Sequence, residues 1–308
     1  MVSKFLDPKN DIAFKKIFGT EKNKGILIHF INDMLCFKNQ DPIVDVVFLK
    51  TNQDPEIAVH KTSVVDVLCK DTKGVNYIVE MQVAKEKGFE KRAQFYAAKT
   101  YSSQLLVKGK YHKLKEIVFL AISDKVLFPN KKTYKSDHVL LDKDTYEQDL
   151  KDFSFTFLEL AKFNKTIDEL KTIQEKWMYF FKNAEETTTE DLEKIVGKDL
   201  VFKEAYIALD RFSWDEEELR TYDQWEKYEG SYIASMDQKY DEGLALGEAK
   251  GLAWGEAKGL ALGEAKGLAK GIIEMAEKML KIGVSLENVV EASGLTVQEV
   301  KNLQKNLK

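Results

Sequence analysis

Cysteine is scarce in this chain: its 308 residues hold two, Cys36 and Cys69. Two cannot build the disulfide framework of a small secreted domain, and they suit a reducing compartment. Histidine is almost as rare, with four scattered residues (His29, His60, His112, His138) and no Cys-x-x-Cys, so the spacing of a zinc site is missing. No apolar run reaches the ~18 residues of a membrane span. The opening Met1-Val-Ser-Lys-Phe-Leu-Asp7 has no apolar signal-peptide core. A cytoplasmic chain without a membrane partner is expected.

Charge of one sign is not in large excess, since the net value is −4, but its distribution is uneven. Residues 1–136 hold 24 Lys and Arg against 15 Asp and Glu, whereas residues 137–308 hold 23 against 36. A basic first part favours a phosphate-backbone ligand. Lysine-rich surfaces are common in any case, so the asymmetry supports a nucleic-acid partner without establishing one.

The chemistry lies in two β-branched runs, Val64-Val-Asp-Val-Leu-Cys69 and Val75-Asn-Tyr-Ile-Val-Glu-Met-Gln-Val83. Between them, Asp71-Thr-Lys-Gly74 reads as a hairpin loop with Gly74 in the left-handed conformation. That register opposes Asp71 to Val75 and Asp66 to Glu80. Alternation then places Gln82 on the face of Glu80, with Tyr77, Val79 and Met81 on the other. Opposed side chains have Cβ atoms roughly 4.5–5.5 Å apart. Two carboxylates that close in apolar strands repel and are costly to ionise. A divalent cation between them relieves both problems, and Mg²⁺ or Mn²⁺ suits oxygen ligands. The bland alternative is a pair of acids facing water from a half-exposed sheet, or a register slipped by one residue.

Val65-Asp66, thirteen residues, then Glu80-Met81-Gln82 resembles the Asp…Glu-x-Lys signature of the PD-(D/E)XK nuclease superfamily, with Gln82 in the Lys position. Asn10-Asp-Ile-Ala-Phe-Lys-Lys-Ile-Phe-Gly19, Arg92-Ala-Gln-Phe-Tyr96 and Tyr101-Ser-Ser-Gln-Leu105 are similar to its recombination-promoting nuclease, or transposase, branch. The likeness covers about residues 5–125. It implies an α/β fold, a restriction-endonuclease-like core of mixed sheet flanked by helices, here with a helical C-terminal extension. It also implies a Mg²⁺-dependent DNA endonuclease associated with recombination or transposition. Asp66 and Glu80 would hold the metal, with the Met81 carbonyl as a third ligand. Asp11 and Lys15 would approach from the first helix, and Gln82 completes the catalytic set. Arg92, Lys99 and Lys61 are the expected DNA contacts; Arg92, Tyr96 and Lys99 share one helical face. Gln82 departs from the pattern: a neutral amide orients water but brings no charge, so Lys15, Lys61 or Arg92 would have to substitute, or turnover is slow. The competing readings are a non-catalytic nucleic-acid-binding or oligomeric scaffold with a relic site, and an assembly protein acting through its repeat.

Four segments are expected: a nuclease core (1–160), an acidic helical segment (161–242), a glycine repeat (243–271) and a helical tail (272–308). In the core, helices are expected over 8–19, 22–36 and 85–107, and strands over 43–49, 117–122, 139–141 and 153–158. Trp177, Tyr179, Phe180, Phe181, Phe212, Trp214 and Trp225 are expected to anchor the acidic segment, and Asp215-Glu-Glu-Glu218 to start a helix. From Gly243 to Gly271 a glycine recurs every fourth residue within Gly-Leu-Ala-Leu-Gly-Glu-Ala-Lys repeats. A four-residue step drifts about 40° on a helix, so one flat contact cannot use the whole stripe. Each glycine also costs up to ~1 kcal/mol relative to Ala. The repeat reads either as a stalk for a homo-oligomer or as a spacer from repeat expansion. In the tail, Ser285 and Thr296 begin capping patterns around a Ser-Gly-Leu-Thr turn, which resembles a helix-turn-helix. Its second helix has no arginine to grip guanine.

Overall fold

The computed structural model describes residues 3–36, 41–50, 52–53, 63–84, 86–105, 109–197 and 199–307. The chain forms two compact units, Met1–Ser231 and Tyr232–Lys308. The first opens with α1 (Asp11–Phe18) and α2 (Lys24–Leu35). Asn10 starts α1, its side-chain oxygen accepting the Ile12 N–H at 3.0 Å, so the helix begins beyond Pro8 and not at it. Then come β1 (Val46–Phe48), short β2 (Asn52–Gln53) and β3 (Ser63–Val64), β4 (Val67–Asp71) and β5 (Asn76–Gln82). α3 (Phe89–Ser103) crosses to β6 (Ile117–Ser123), followed by β7 (Lys135–Val139) and β8 (Phe153–Glu159). The helices α4 (Ile173–Asn183), α5 (Thr189–Val196), α6 (Leu200–Ala208) and α7 (Glu216–Lys281) complete the series up to the tail.

The main sheet has the order β1-β4-β5-β6-β8-β7. β1, β4 and β5 form an antiparallel meander, β5, β6 and β8 run parallel, and β7 returns antiparallel on the edge. The meander has the expected register: Val67 faces Val79, Leu68 faces Ile78 and Cys69 faces Tyr77. Gly74 fixes it with φ +88°, while the Asp71 N–H donates to the Val75 carbonyl at 3.0 Å. Alternation along β5 divides the core. Tyr77, Val79 and Met81 join Phe14, Phe18, Phe30, Trp177 and Phe181 on one face. Ile78 lies under Phe89, Ala93 and Ala97 of α3 on the other. All of β6 is buried, as a strand parallel to both neighbours and covered on both faces must be.

Several boundaries differ from expectation. α3 is shorter than 85–107: it starts after Gly88, held at φ +83°, and ends at Ser103, with residues 106–108 outside the described set. The edge strand is Lys135–Val139 and not 139–141, because β8 pairs only as far as Val139; Leu140 and Leu141 lie half exposed beyond it. Trp177, Phe180, Phe181 and Trp214 are core residues, but Phe212 is 80 % exposed in a short turn capped by Asp210. α7 starts as expected, with Asp215 Oδ1 accepting the Glu218 N–H at 2.8 Å and Glu218 Oε2 accepting the Asp215 N–H at 3.0 Å.

In the second unit, the end of α7 packs with α8 (Leu286–Ser293) and α9 (Val297–Asn306) around Ala276, Val289 and Val300. Ser285 caps α8, and Thr296 with Glu299 forms the reciprocal box of α9. The repeat lies within α7 as continuous helix, and among the described residues nothing beyond the adjoining helix backbone lies within 4 Å of a Cβ built on any of its glycines.

Candidate active site

Glu80 and Gln82 occupy the C-terminal end of β5, where β6 and β8 also end: Gln82 is in register with Ser123, and Ser123 with Glu159. Asp66 sits at a bend immediately before β4. The ladder stops at Val67, one residue short of the expected pairing, because the Asp66 N–H turns to Glu80 Oε2 at 3.2 Å. In return the Met81 N–H donates to Asp66 Oδ2 at 2.8 Å. The two carboxylates are therefore held together by main-chain donors across the hairpin. Glu80 is only 4 % exposed.

Two elements bring cations to this pair. From α1, Asp11 binds Lys15 one turn later, at 2.7 and 2.9 Å to its two oxygens. From α3, the Arg92 guanidinium donates to Gln82 Oε1 and to Glu86, and its Nη2 lies 3.7 Å from Glu80 Oε1. Gln82 is engaged at both ends, since its Nε2 also donates to the Ala84 carbonyl at 2.6 Å. Lys99 lies half-buried two turns along α3 from Arg92, and Lys61 falls outside the described residues.

Burial drives the electrostatics. It pushes the Asp66 carboxyl well above its usual range, helped by the charge of Asp11 and opposed by the Met81 N–H, Lys15 and Arg92. Glu80 rises too, first through burial and then through repulsion by Asp66, with the Asp66 N–H, Arg92 and Lys15 acting in the other direction. Burial likewise raises Tyr96, which is half-buried above the same carboxylates.

Three participants were not legible in the sequence. Glu86 pairs with Arg92; Asp124 follows β6 and donates its N–H to the Gln82 carbonyl at 2.9 Å; Lys9 reaches Asp124 Oδ1 at 3.4 Å. A carboxylate just past the end of a buried strand was the available signal for Asp124. Glu86 had none, being one acid in a polar connection.

The donor set suits a divalent cation. Two buried carboxylates repel each other and lack water, and a cation between them relieves both penalties. No group of three His, Cys, Asp or Glu converges anywhere among the described residues. Further ligands would therefore be main-chain, water or phosphate oxygens, as is usual for Mg²⁺.

A mixed six-stranded sheet between helices, with an Asp–Glu couple at the ends of its hairpin, defines a restriction-endonuclease-like α/β protein. The sequence matches the PD-(D/E)XK nuclease family transposases over residues 8–239, and the chain belongs to that family. No curated protein and no solved structure shows a significant match. Among the described residues no helix is long and apolar enough to cross a membrane.

Proposed function

We propose that this chain is a Mg²⁺-dependent DNA endonuclease acting in recombination or transposition of mobile DNA. The observation that carries the reading is the buried Asp66–Glu80 couple beside Arg92 at the C-terminal end of β5. Asp66 and Glu80 are the metal ligands, with the Met81 carbonyl beside them. When bound there, a divalent ion polarises the scissile phosphate and acidifies a water molecule. Main-chain N–H groups of Asp66 and Met81 hold the carboxylates in place before substrate arrives. Asp11 and Lys15 set the field over them from α1. The positive balance of residues 1–136 favours DNA as the partner, and Lys99 and Lys61 join Arg92 as proposed phosphate contacts.

A second reading, a non-catalytic DNA-binding scaffold with a relic site, draws on the neutrality of Gln82 and the absence of a third acid, His or Cys ligand among the described residues. Nicking of supercoiled plasmid with and without Mg²⁺ separates the two. The nuclease reading requires cleavage by the wild type that Glu80→Gln abolishes. DNA binding without cleavage in Mg²⁺ or Mn²⁺ favours the scaffold.

A further inference from the structure

Hydrolysis of a phosphodiester builds negative charge on the non-bridging oxygens, and because two carboxylates offset the charge that a divalent ion would bring between them, the site needs a fixed protein cation besides it. Residue 82 is neutral. Lys15 is committed to Asp11 through both carboxylate oxygens, at 2.7 and 2.9 Å. Arg92 is placed differently. Its guanidinium carbon lies 4.9 Å from the Phe89 ring centroid and 5.9 Å from that of Tyr96. Nη2 is anchored on Gln82 beside Glu80, and Nη1 meets Glu86, whose side chain is 45 % exposed. Nε is buried without a hydrogen-bond partner in the described structure. The fork is thus oriented by rings and by a neutral amide, and its outer edge is closed only by a half-exposed carboxylate.

Resting on the nuclease reading, we infer that Arg92 is the catalytic cation of this site and that Glu86 is its exchangeable counter-ion, displaced by the substrate phosphate. A planar guanidinium matches phosphate with two parallel N–H donors. An ion pair with a half-exposed carboxylate is weak, so a phosphate can replace it. Gln82 then acts as a positioning residue: its amide aims Nη2 without adding charge.

The test uses the full chain, with kcat and KM on plasmid in Mg²⁺ and affinity for a short duplex in EDTA. Arg92→Ala should lower kcat ~100-fold or more, the scale of losing one preorganised donor to a transition-state charge. Its duplex affinity in EDTA should fall as well, and millimolar guanidinium ion should restore part of the rate, which a purely structural arginine would not permit. Arg92→Lys, which keeps the charge without the fork and is the gentler change for folding, should fall between the two. Glu86→Gln should lower KM severalfold. A folded Arg92→Ala with wild-type kcat and duplex affinity, alongside an inert Asp66→Asn, overturns this inference and leaves the metal site standing. A wild type that binds duplex but never cuts in Mg²⁺ or Mn²⁺ overturns the nuclease reading beneath it, and a fully active Asp66→Asn overturns the metal-site assignment. A raised KM in Glu86→Gln overturns the counter-ion role.

Discussion

Asp66 and Glu80 face each other in a place where neither is comfortable as an anion, and that discomfort is measurable. Unfolded carboxylates titrate at about 4. In the fold both are raised, by burial and, for Glu80, by Asp66. Between the unfolded and folded values the native state holds more protons than the unfolded chain, so this pair's contribution to stability falls as pH rises. In EDTA, Glu80→Gln should therefore gain stability relative to wild type between pH 5 and pH 8.5, about where the raised pair ionises. Mg²⁺ should stabilise the wild type at the upper pH and leave the variant unmoved. Thermal melts at both pH values decide it; an unchanged difference would mean that the fold does not hold the Glu80 carboxyl above its unfolded range. For activity, Asp66→Asn and Glu80→Gln should each lose Mg²⁺-dependent cleavage while keeping duplex affinity within a few fold of wild type, since affinity rests mainly on Lys and Arg contacts to phosphate. Wild-type nicking by either purified variant refutes the assignment.

The hairpin is the element that makes this pair, and its register hangs on one backbone angle. Gly74 stands at φ +88°, and a Cβ there would meet the flexible Lys115 Cγ at 3.3 Å. Gly74→Ala should cost roughly 1–2 kcal/mol, because an L-residue is strained in the left-handed region. In a unit of this size that amounts to a fall in Tm of about 2–8 °C. Unchanged Tm would show that the loop adopts another turn without penalty. The same glycine explains why the hairpin could be read from sequence: the loop residues between β-branched flanks pointed to one register, although strands buried on both faces left a one-residue slip open. The first helix, from its apolar spacing, and the apolar run 117–122 of β6 were legible for similar local reasons, but the Asn10 cap that sets the start of α1 was not read. The edge strand was not, since Lys135–Val139 alternates weakly and is defined only by pairing to β8. Nor was the Gln82–Arg92–Glu86 contact, which joins a strand end, a connection and a helix, three places that no periodicity links. Phe212 misled because aromatic character alone signals a core, whereas a turn can expose it.

At the scale of the whole chain, the family match ends at residue 239, and the first compact unit ends at Ser231. Every side chain assigned to the proposed chemistry lies within that unit. The repeat offers the opposite picture: its leucines and Trp254 are exposed, with Leu252 at 68 % and Trp254 at 67 %, and among the described residues no other element packs on its glycines. Helix that glycine-rich gains little from its own propensity, so it depends on whatever packs against it or on remaining a loosely held spacer. A chain ending before Gly243 keeps the entire matched region and should still nick plasmid in Mg²⁺ with an unchanged rate per bound substrate. What truncation alters is assembly or affinity, and light scattering with duplex titration distinguishes the two. A smaller oligomer that needs higher protein concentration to cut identifies the repeat as a stalk. An unchanged oligomeric state with weaker duplex binding assigns the DNA contact to α8 and α9. A truncated protein that is folded, monodisperse and inert at every concentration would show that the chemistry requires residues beyond the matched region, and would refute the assignment of the complete site to the first unit.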